Sequence, residues 1–468
     1  MNIPSNKKVI MWILSTVIFI EMLDSTIINT AIPTMAISFQ TNPINLKIAI
    51  TSYLISLAIF IPISGWAANK YGIRTVFLSA IALFTISSVF CGLSNSIYEI
   101  AVFRGFQGLG GAMMTPVARL IMVTIFPIKN LVKISMYIFL PARVGTILGP
   151  FIGGILTTYS SWRWIFFINV PIGIIAFLIS FKYIKNIDTH YKTKLDIIGF
   201  ALSAVSLSCI ALSMEFIGEN YIPKNIYNTL LFTGIITFIY FIIHSIIAKE
   251  KAVLNFQLFK FETFKIGILS NMVANMSVGG VALLLPLLFQ LQFKMSPLKS
   301  SLFLLPMAIG ALFMRSISPK FVKKFGFKKV IFYSPVGIFI SLILLSFVSI
   351  DSSYIYICFS CFCIGSFTIL LMSSNGVILY VDIPNKNHSN ATSLDVTSRQ
   401  FASTLSIGIS TFLLIKFLNI LNTDIYSENG IKAFQYTFLI LASIITIVML
   451  LSLNLKKNDG EEAAQGAN

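Results

Sequence analysis

The sequence predicts an all-α polytopic membrane protein with fourteen transmembrane helices, arranged as two six-helix halves plus two inserted helices. Three observations carry that expectation. Of 468 residues, 56% are apolar and only 11% charged, with a mean hydropathy of +0.87. A soluble domain carries about 25% charged residues, so the material for a solvated surface is missing. The apolar residues fall into runs of about 20, the length that crosses a bilayer as a helix. A β-barrel would instead show alternating segments of about ten residues. The third observation is an internal repeat between two loops far apart in the chain. Together they exclude a soluble enzyme, a disordered chain and a secreted disulfide scaffold.

The predicted spans are 9–33, 47–68, 75–94, 98–126, 133–158, 164–184, 196–217, 227–247, 263–290, 299–317, 329–350, 353–381, 391–421 and 433–455. No cleavable leader is expected, because the first apolar run continues past the length of a signal peptide core. The net charge of +17 does not point to nucleic acid, since the basic residues punctuate apolar runs instead of clustering. With Met1 inside, about twenty-two of them fall on the cytoplasmic side and about seven outside, the bias of the positive-inside rule. Lys7, Lys8, Lys70, Arg74, Lys129, Lys192, Lys194, Lys249, Lys251, Lys323, Lys324, Lys386 and Lys457 are among the inside set. Both termini are then cytoplasmic, in a multi-pass protein of the cell (inner) membrane.

The loop Asn69-Lys70-Tyr71-Gly72-Ile73-Arg74 and the loop Lys323-Lys324-Phe325-Gly326-Phe327-Lys328 share one order: basic, aromatic, glycine, apolar, basic. They are displaced by 254 residues. Six spans occupy about 180 residues at the N-terminus, so the excess fits two extra helices. The expected divisions are 1–190, 191–250 (the inserted pair) and 251–468. Parallel six-helix repeats are a transporter architecture.

Few groups can carry chemistry. Asp24 lies near the middle of the first span, where a carboxylate costs about 2.5–3.5 kcal/mol and should face a cavity or a partner. Such a group can hold a proton or a cation, one displacing the other. Glu21 is three residues earlier, on roughly the same face. Arg104, with Gln107 one turn on, can hold an anion or set a carboxylate's charge state. Asn29, Gln107, Asn271, Met272, Asn275 and Asn375, with Ser373 and Ser374, are candidates for a cavity wall. Asp395 and Arg399, four apart, read as a self-neutralised pair. Arg119 reads as part of a cytoplasmic charge network, and Asp196 and Glu215 as solvated helix ends. Gly145, Gly149 and Gly153 recur every four residues beside Pro150 and Gly154, forming a smooth stripe. By itself such a stripe reads as static packing of one helix on another. The five cysteines lie in apolar runs, and the three histidines, His190, His244 and His388, are scattered. Neither a metal, a cofactor nor a nucleophile–base spacing is expected, so the chain reads as no enzyme. No nucleotide-binding loop of the GxxxxGK[ST] type is present.

Five motifs, in order, resemble the major facilitator superfamily, specifically its fourteen-span drug:proton antiporter branch. They are Leu23-Asp24-Ser25-Thr26-Ile27-Ile28-Asn29-Thr30-Ala31-Ile32-Pro33, the loop from Gly65 to Arg74, and Arg104-Gln107-Gly108-Gly110. The last two are Gly145-Gly149-Pro150-Gly153-Gly154 and Trp162 to Pro171. The resemblance implies proton-coupled multidrug efflux by alternating access, with Asp24 as proton carrier, Arg104 as its tuner and Glu21 coupled to them. It assigns Gly65, Asn69, Lys70, Gly72 and Arg74 to a gating loop, and makes the stripe of Gly145, Gly149 and Gly153 beside Pro150 a gating interface where the halves meet and separate. Asn69 stands where that family usually carries Asp; it can cap a helix but supplies no charge. Expected partners are the lipid bilayer, small-molecule substrates and protons, with no nucleic acid, and the protein as a monomer. Two alternatives remain at this point: an exporter of a metabolite or siderophore anion held by Arg104, and a non-transporting receptor or scaffold.

Overall fold

The computed structural model describes residues 5–126, 131–185, 195–216, 223–248, 252–254, 256–384 and 388–456. Among these, every regular element is helical, as a bilayer requires of a chain whose backbone must satisfy itself. The long helices are α1 (Ser5–Ile27), α2 (Lys47–Phe60), α3 (Ile73–Leu93), α4 (Ile97–Ile125), α5 (Leu131–Tyr159), α6 (Asn169–Tyr183) and α7 (Ile197–Phe216). They continue as α8 (Lys224–Ala248), α9 (Glu262–Val278), α10 (Pro297–Phe325), α11 (Phe327–Ser346), α12 (Tyr354–Ile378), α13 (His388–Ile420) and α14 (Gly430–Leu453). Twelve helical stretches among the described residues are long and apolar enough to cross a membrane, short of the fourteen expected. The difference is α4 and α5, each 29 residues long. Residues 127–130, with Lys129, lie outside the described residues, as do Lys192, Lys194, Lys249, Lys251, Lys386 and Lys457.

Prolines and glycines break three spans expected to be continuous. The first leaves α geometry after Ile27 for a 3-10 turn at Ile28–Thr30, and Pro33 opens the short helix Ile32–Ser38. Proline lacks the N–H that an unbroken helix would use. Pro62 likewise sits in a 3-10 turn after α2, before the helix Ser64–Tyr71. α9 ends at Gly279, resumes at Val281–Leu287 around Pro286, and closes in a π turn at Leu288–Gln292.

The chain forms two compact units, Met1–Leu207 and Ser208–Asn468. In the first, α1 packs on α4, α5 and α6, α2 on α4, and α3 on α4 and α6. In the second, α9 packs on α12, α13 and α14, α10 on α12, and α11 on α12 and α14. Adding eight to each helix number converts the first set into the second. The two repeat loops share their geometry as well. Gly72 (φ 88°, ψ 137°) joins the helix Ser64–Tyr71 to α3, and Gly326 (φ 77°, ψ 159°) joins α10 to α11. The aromatic before each glycine lies under the preceding lysine, Lys70 over Tyr71 and Lys324 over Phe325. Ser96 and Ser353 both accept a backbone N–H at the start of the next helix, α4 and α12.

A positive φ is costly for any residue with a Cβ, about 1–2 kcal/mol. An added Cβ at Gly326 meets no atom within 4 Å, so conformation alone is at stake there. Gly326→Ala should therefore lower stability by about 1–2 kcal/mol, read as a lower midpoint of thermal unfolding in detergent. An unchanged midpoint would mean the turn relaxes to negative φ.

Each unit has its own apolar interior. In the first it includes Leu14, Val17, Phe77, Phe84, Met114 and Ile121. In the second it includes Phe264, Phe289, Leu342, Phe434 and Phe438. Phe181, Phe232, Tyr240 and Ile247 are exposed, as side chains facing lipid must be.

Candidate functional site

Glycines set the approach of the helices around Asp24. A Cβ on Gly108 would lie 2.5 Å from the Tyr53 carbonyl oxygen of α2, and one on Gly110 would lie 2.8 Å from the Phe84 nitrogen of α3. α4 is thus seated between α2 and α3, which brings its Arg104 and Gln107 to α1. Asp24 and Arg104 are both wholly buried and form an ion pair, Nη1 to Oδ2 at 2.5 Å. The other carboxylate oxygen accepts from Gln107 Nε2 at 3.0 Å and Asn169 Nδ2 at 2.7 Å. Gln107 also donates to Ser88 Oγ at 2.6 Å, while its Oε1 accepts from Arg104 Nη1 at 2.7 Å. Arg104 Nε donates to the Ala49 carbonyl at 3.0 Å, and the guanidinium stacks over Tyr53, 4.2 Å from the ring centre. One buried carboxylate is therefore satisfied by three donors from α4 and α6, and one guanidinium ties α1, α2 and α4 together. Arg104 Nη2 and Asn169 Oδ1 are buried without a partner among the described residues.

Glu21 belongs to a different neighbourhood. It is 4% exposed and accepts from Thr115 Oγ1 of α4 at 2.6 Å. Arg119, one turn beyond Thr115, is the cation whose charge acts on it. No hydrogen bond joins Glu21 to Asp24 among the described residues, so the two acids one turn apart have separate partners. Asn29 is buried in the 3-10 turn that follows α1.

The glycine stripe of α5 packs on α1. Gly145, Gly149 and Gly153 of α5 all meet α1 of their own unit, at Phe19 and Leu23, at Thr26 and Ile27, and at Ile27 and Thr30. The Pro150 carbonyl accepts from Thr30 Oγ1 at 3.4 Å, and Gly154 is buried beside them. The stripe forms a seam with α1 inside its own unit. Its physical basis is backbone approach: a Cβ on Gly153 would sit 2.6 Å from the Ile27 carbonyl oxygen.

In the gating loop, Arg74 Nη2 donates to the Phe181 carbonyl at 2.7 Å and the guanidinium lies over the Phe181 ring. Lys70 lies over Trp66, 4.8 Å from the ring centre. The Asn69 amide has no hydrogen-bond partner among the described residues, so the capping open to it in sequence is not made. Gly65 is exposed, with open space where a Cβ would be.

A second polar group forms within the other unit. Arg399 Nη2 pairs with Asp395 Oδ2 at 2.7 Å on α13. Asn271 Nδ2 of α9 reaches Asp395 Oδ1 at 3.4 Å, and Asn375 Nδ2 of α12 donates to Asn271 Oδ1 at 3.1 Å. Asn275 Nδ2 donates to the Asn271 carbonyl, and its Oδ1 accepts from Ser403 Oγ at 3.5 Å. Met272 is half-buried beside them. The three asparagines expected in a cavity wall thus meet the Asp395–Arg399 pair, which the sequence treats as separate.

Sequence reasoning missed five residues. Asn169 stands two residues before Pro171 and reads as a helix start; an amide in an otherwise apolar run was its signal. Ser88, Tyr53 and Thr115 carry no such signal. Lys47, in the first turn of α2, is 1% exposed with its ammonium unpartnered among the described residues.

Repeated six-helix packing around a buried ion pair defines a polytopic carrier of the secondary-transporter class. The family model of the Major Facilitator Superfamily matches residues 14–407. The chain is 31% identical over 447 residues to a protein of Escherichia coli O6:H1 (strain CFT073) named MdtD and described by that name as a multidrug resistance protein. That match covers 95% of this chain and 94% of the other. The protein of the same name from Escherichia coli O17:K52:H18 (strain UMN026) is 30% identical over 446 residues, with the same coverage. The chain belongs to the Major Facilitator Superfamily. Solved structures agree on the fold. The nucleoside transporter NupG matches with TM-score 0.66 at 13% identity, over 97% of this chain and 100% of that one. The inward open xylose transporter XylE from E. coli matches with TM-score 0.65 at 15% identity, over 97% and 98%.

Proposed function

We propose that this chain exports lipophilic or cationic compounds in exchange for protons, by alternating access across the cell's inner membrane, with both termini cytoplasmic. α4 and α5 complete fourteen spans, residues 1–190 and 251–468 form the six-helix halves, and 191–250 carries the inserted pair, α7 and α8. The protein works as a monomer. The observation that carries the reading is the wholly buried Asp24–Arg104 pair, with the separately held Glu21 one turn away. A proton arriving on Asp24 removes the charge that Arg104 neutralises. The guanidinium then keeps only the Ala49 carbonyl, Gln107 and the Tyr53 face, and α1 is loosened from α4. Protonation is thereby coupled to helix position. The names of the MdtD relatives, and their identity along nearly the whole chain, support drugs as the cargo. Each net charge moved across 100 mV, as when a neutral compound is exchanged for one proton, supplies about 2.3 kcal/mol, enough for roughly fifty-fold accumulation.

The test is proton movement in proteoliposomes under an imposed pH gradient, with ethidium added as cargo. Wild type should move protons only when ethidium is present, and Asp24→Asn should lose the coupled flux at least tenfold. With Glu21 as the site of a second proton, Glu21→Gln should keep exchange but remove its dependence on membrane voltage, since a monovalent cation exchanged for one proton moves no net charge. Equal coupled flux in wild type and Asp24→Asn would refute the assignment.

A further inference from the structure

α10 carries a charge that has no place in the internal repeat. At the displacement of 254 residues that relates the two repeat loops, Lys324 stands for Lys70 and Lys328 for Arg74, so both belong to the shared turn. Arg315 and Lys320 have no basic counterpart: the same places in the first unit hold Ile61 and Trp66. Lys320, with Lys323 and Lys324, lies in the last two turns of α10, where long basic side chains snorkel to the membrane surface. Arg315 lies ten residues before Phe325. That is about 15 Å along the helix, where a hydrocarbon core is about 30 Å thick. Arg315 is exposed, and its guanidinium makes no ion pair and no hydrogen bond among the described residues.

A cation at that depth needs an anion, and its surroundings supply none. α10 contains no Asp or Glu. Neither do α11, α12, the helix Val281–Leu287 or the π turn Leu288–Gln292, the elements that pack on it. The exposed side of α10 divides into two zones. Toward the Phe325 end stand Lys320, Lys323 and Lys324. Toward the start stand Ile309, Leu312 and Phe313, apolar and exposed. They precede Ser316 by seven, four and three residues, and Lys320 follows it by four, so all share one face. Arg315 and Ser316 lie at the boundary of the zones. An amphiphile with one anionic group matches that order. Its apolar body would lie on Ile309, Leu312 and Phe313, and its anion at the guanidinium fork, whose geometry suits a carboxylate or a phosphate.

Depth selects the occupant. Headgroups of bilayer lipids stay at the membrane surface and meet Lys320 and Lys324. Arg315 is about 7.5 Å further along the helix than Lys320, so an anion reaches it only by leaving the headgroup layer. We propose that Arg315 anchors a binding site for a free single-chain amphiphilic organic anion, a charge class that the export reading does not include. The site lies wholly on α10 and uses neither Asp24, Glu21 nor Arg104.

The test is scintillation-proximity binding of radiolabelled laurate to the purified full-length protein in a non-ionic detergent, with dodecanol as the neutral control. Wild type should bind laurate more tightly than dodecanol; the reverse order overturns the proposal. Arg315→Gln should weaken laurate binding at least tenfold and leave dodecanol unaffected, and Arg315→Lys should recover most of it. Parallel loss of laurate and dodecanol would show that Arg315 only shapes the helix. Lys320→Gln should lose clearly less than Arg315→Gln, and phosphatidylglycerol at the laurate concentration should not displace laurate. An equal or greater loss in Lys320→Gln, or displacement by phosphatidylglycerol, would make this a headgroup site at the membrane surface and overturn the proposal. Should the variants not fold, wild type decides. Laurate, and not dodecanol, should lower phenylglyoxal labelling of Arg315 at least threefold, read by mass spectrometry of its peptide. Unchanged labelling would overturn the site. Each of these failures leaves the export reading standing, since proton exchange with ethidium is carried by other residues.

Discussion

Asp24→Ala should destabilise the protein by about 3–5 kcal/mol, the cost of removing one partner of a buried pair. The loss is measured as a lower midpoint of thermal or denaturant unfolding in detergent. Arg104 would keep its bonds to the Ala49 carbonyl and Gln107, but its charge would have no counter-ion and its Nη2 already has no partner. An arginine cannot shed its proton to escape the penalty. Arg104→Met should cost less. Asp24 would retain two amide donors, Gln107 and Asn169, and a carboxylate can take up a proton and become neutral. The double variant, Asp24→Ala with Arg104→Met, should then be more stable than Asp24→Ala alone, because the stranded charge is gone. A double-mutant cycle isolates that coupling. Strictly additive losses would show that the pair is not the unit that holds α1 to α4.

The same cycle bears on transport. If the pair is a latch that protonation opens, the double variant should be well folded yet uncoupled, with cargo equilibrating without proton movement. Stability and coupling then separate, which no single substitution at either position achieves.

How much of this was legible in the sequence follows from the range of each signal. Helix existence is local: runs of apolar residues mark the spans, and prolines such as Pro33 and Pro62 mark where they loosen, although the predicted span 47–68 ran through Pro62. Asp24 and Arg104 were visible because a charge inside an apolar run is costly and must have a purpose. Their partners Ser88 and Tyr53 were not, since such residues are ordinary in membrane helices. The link between Asn271, Asn375 and Asp395 spans more than a hundred residues of chain and emerges only when α9, α12 and α13 pack together. The glycine stripe shows the limit most plainly. A four-residue period says that a smooth face exists, but not which helix lies against it.

That helix is α1, and the consequence is a second large effect. A methyl group added at Gly145 would lie 2.8 Å from the Phe19 carbonyl oxygen, and one at Gly153 would lie 2.6 Å from the Ile27 carbonyl oxygen. Both clashes are with backbone, which cannot rotate aside as the Thr26 side chain facing Gly149 could. Overpacking a closed site costs about 1–3 kcal/mol, so Gly145→Ala and Gly153→Ala should each lower the unfolding midpoint by a corresponding amount. Distant substitutions usually add. These two should not. They lie two turns apart on one helix facing one partner, and α5 runs on as one helix through Pro150 between them. The relief available to either clash is displacement of α5 away from α1, and a displacement that relieves one relieves much of the other. The double variant should therefore lose clearly less than the sum of the single losses. It should also weaken coupled flux more than stability alone explains, because α1 carries both Glu21 and Asp24, and moving α5 releases the face that backs them. Full additivity would mean that each glycine is accommodated locally and that α1 and α5 do not move as rigid bodies against each other.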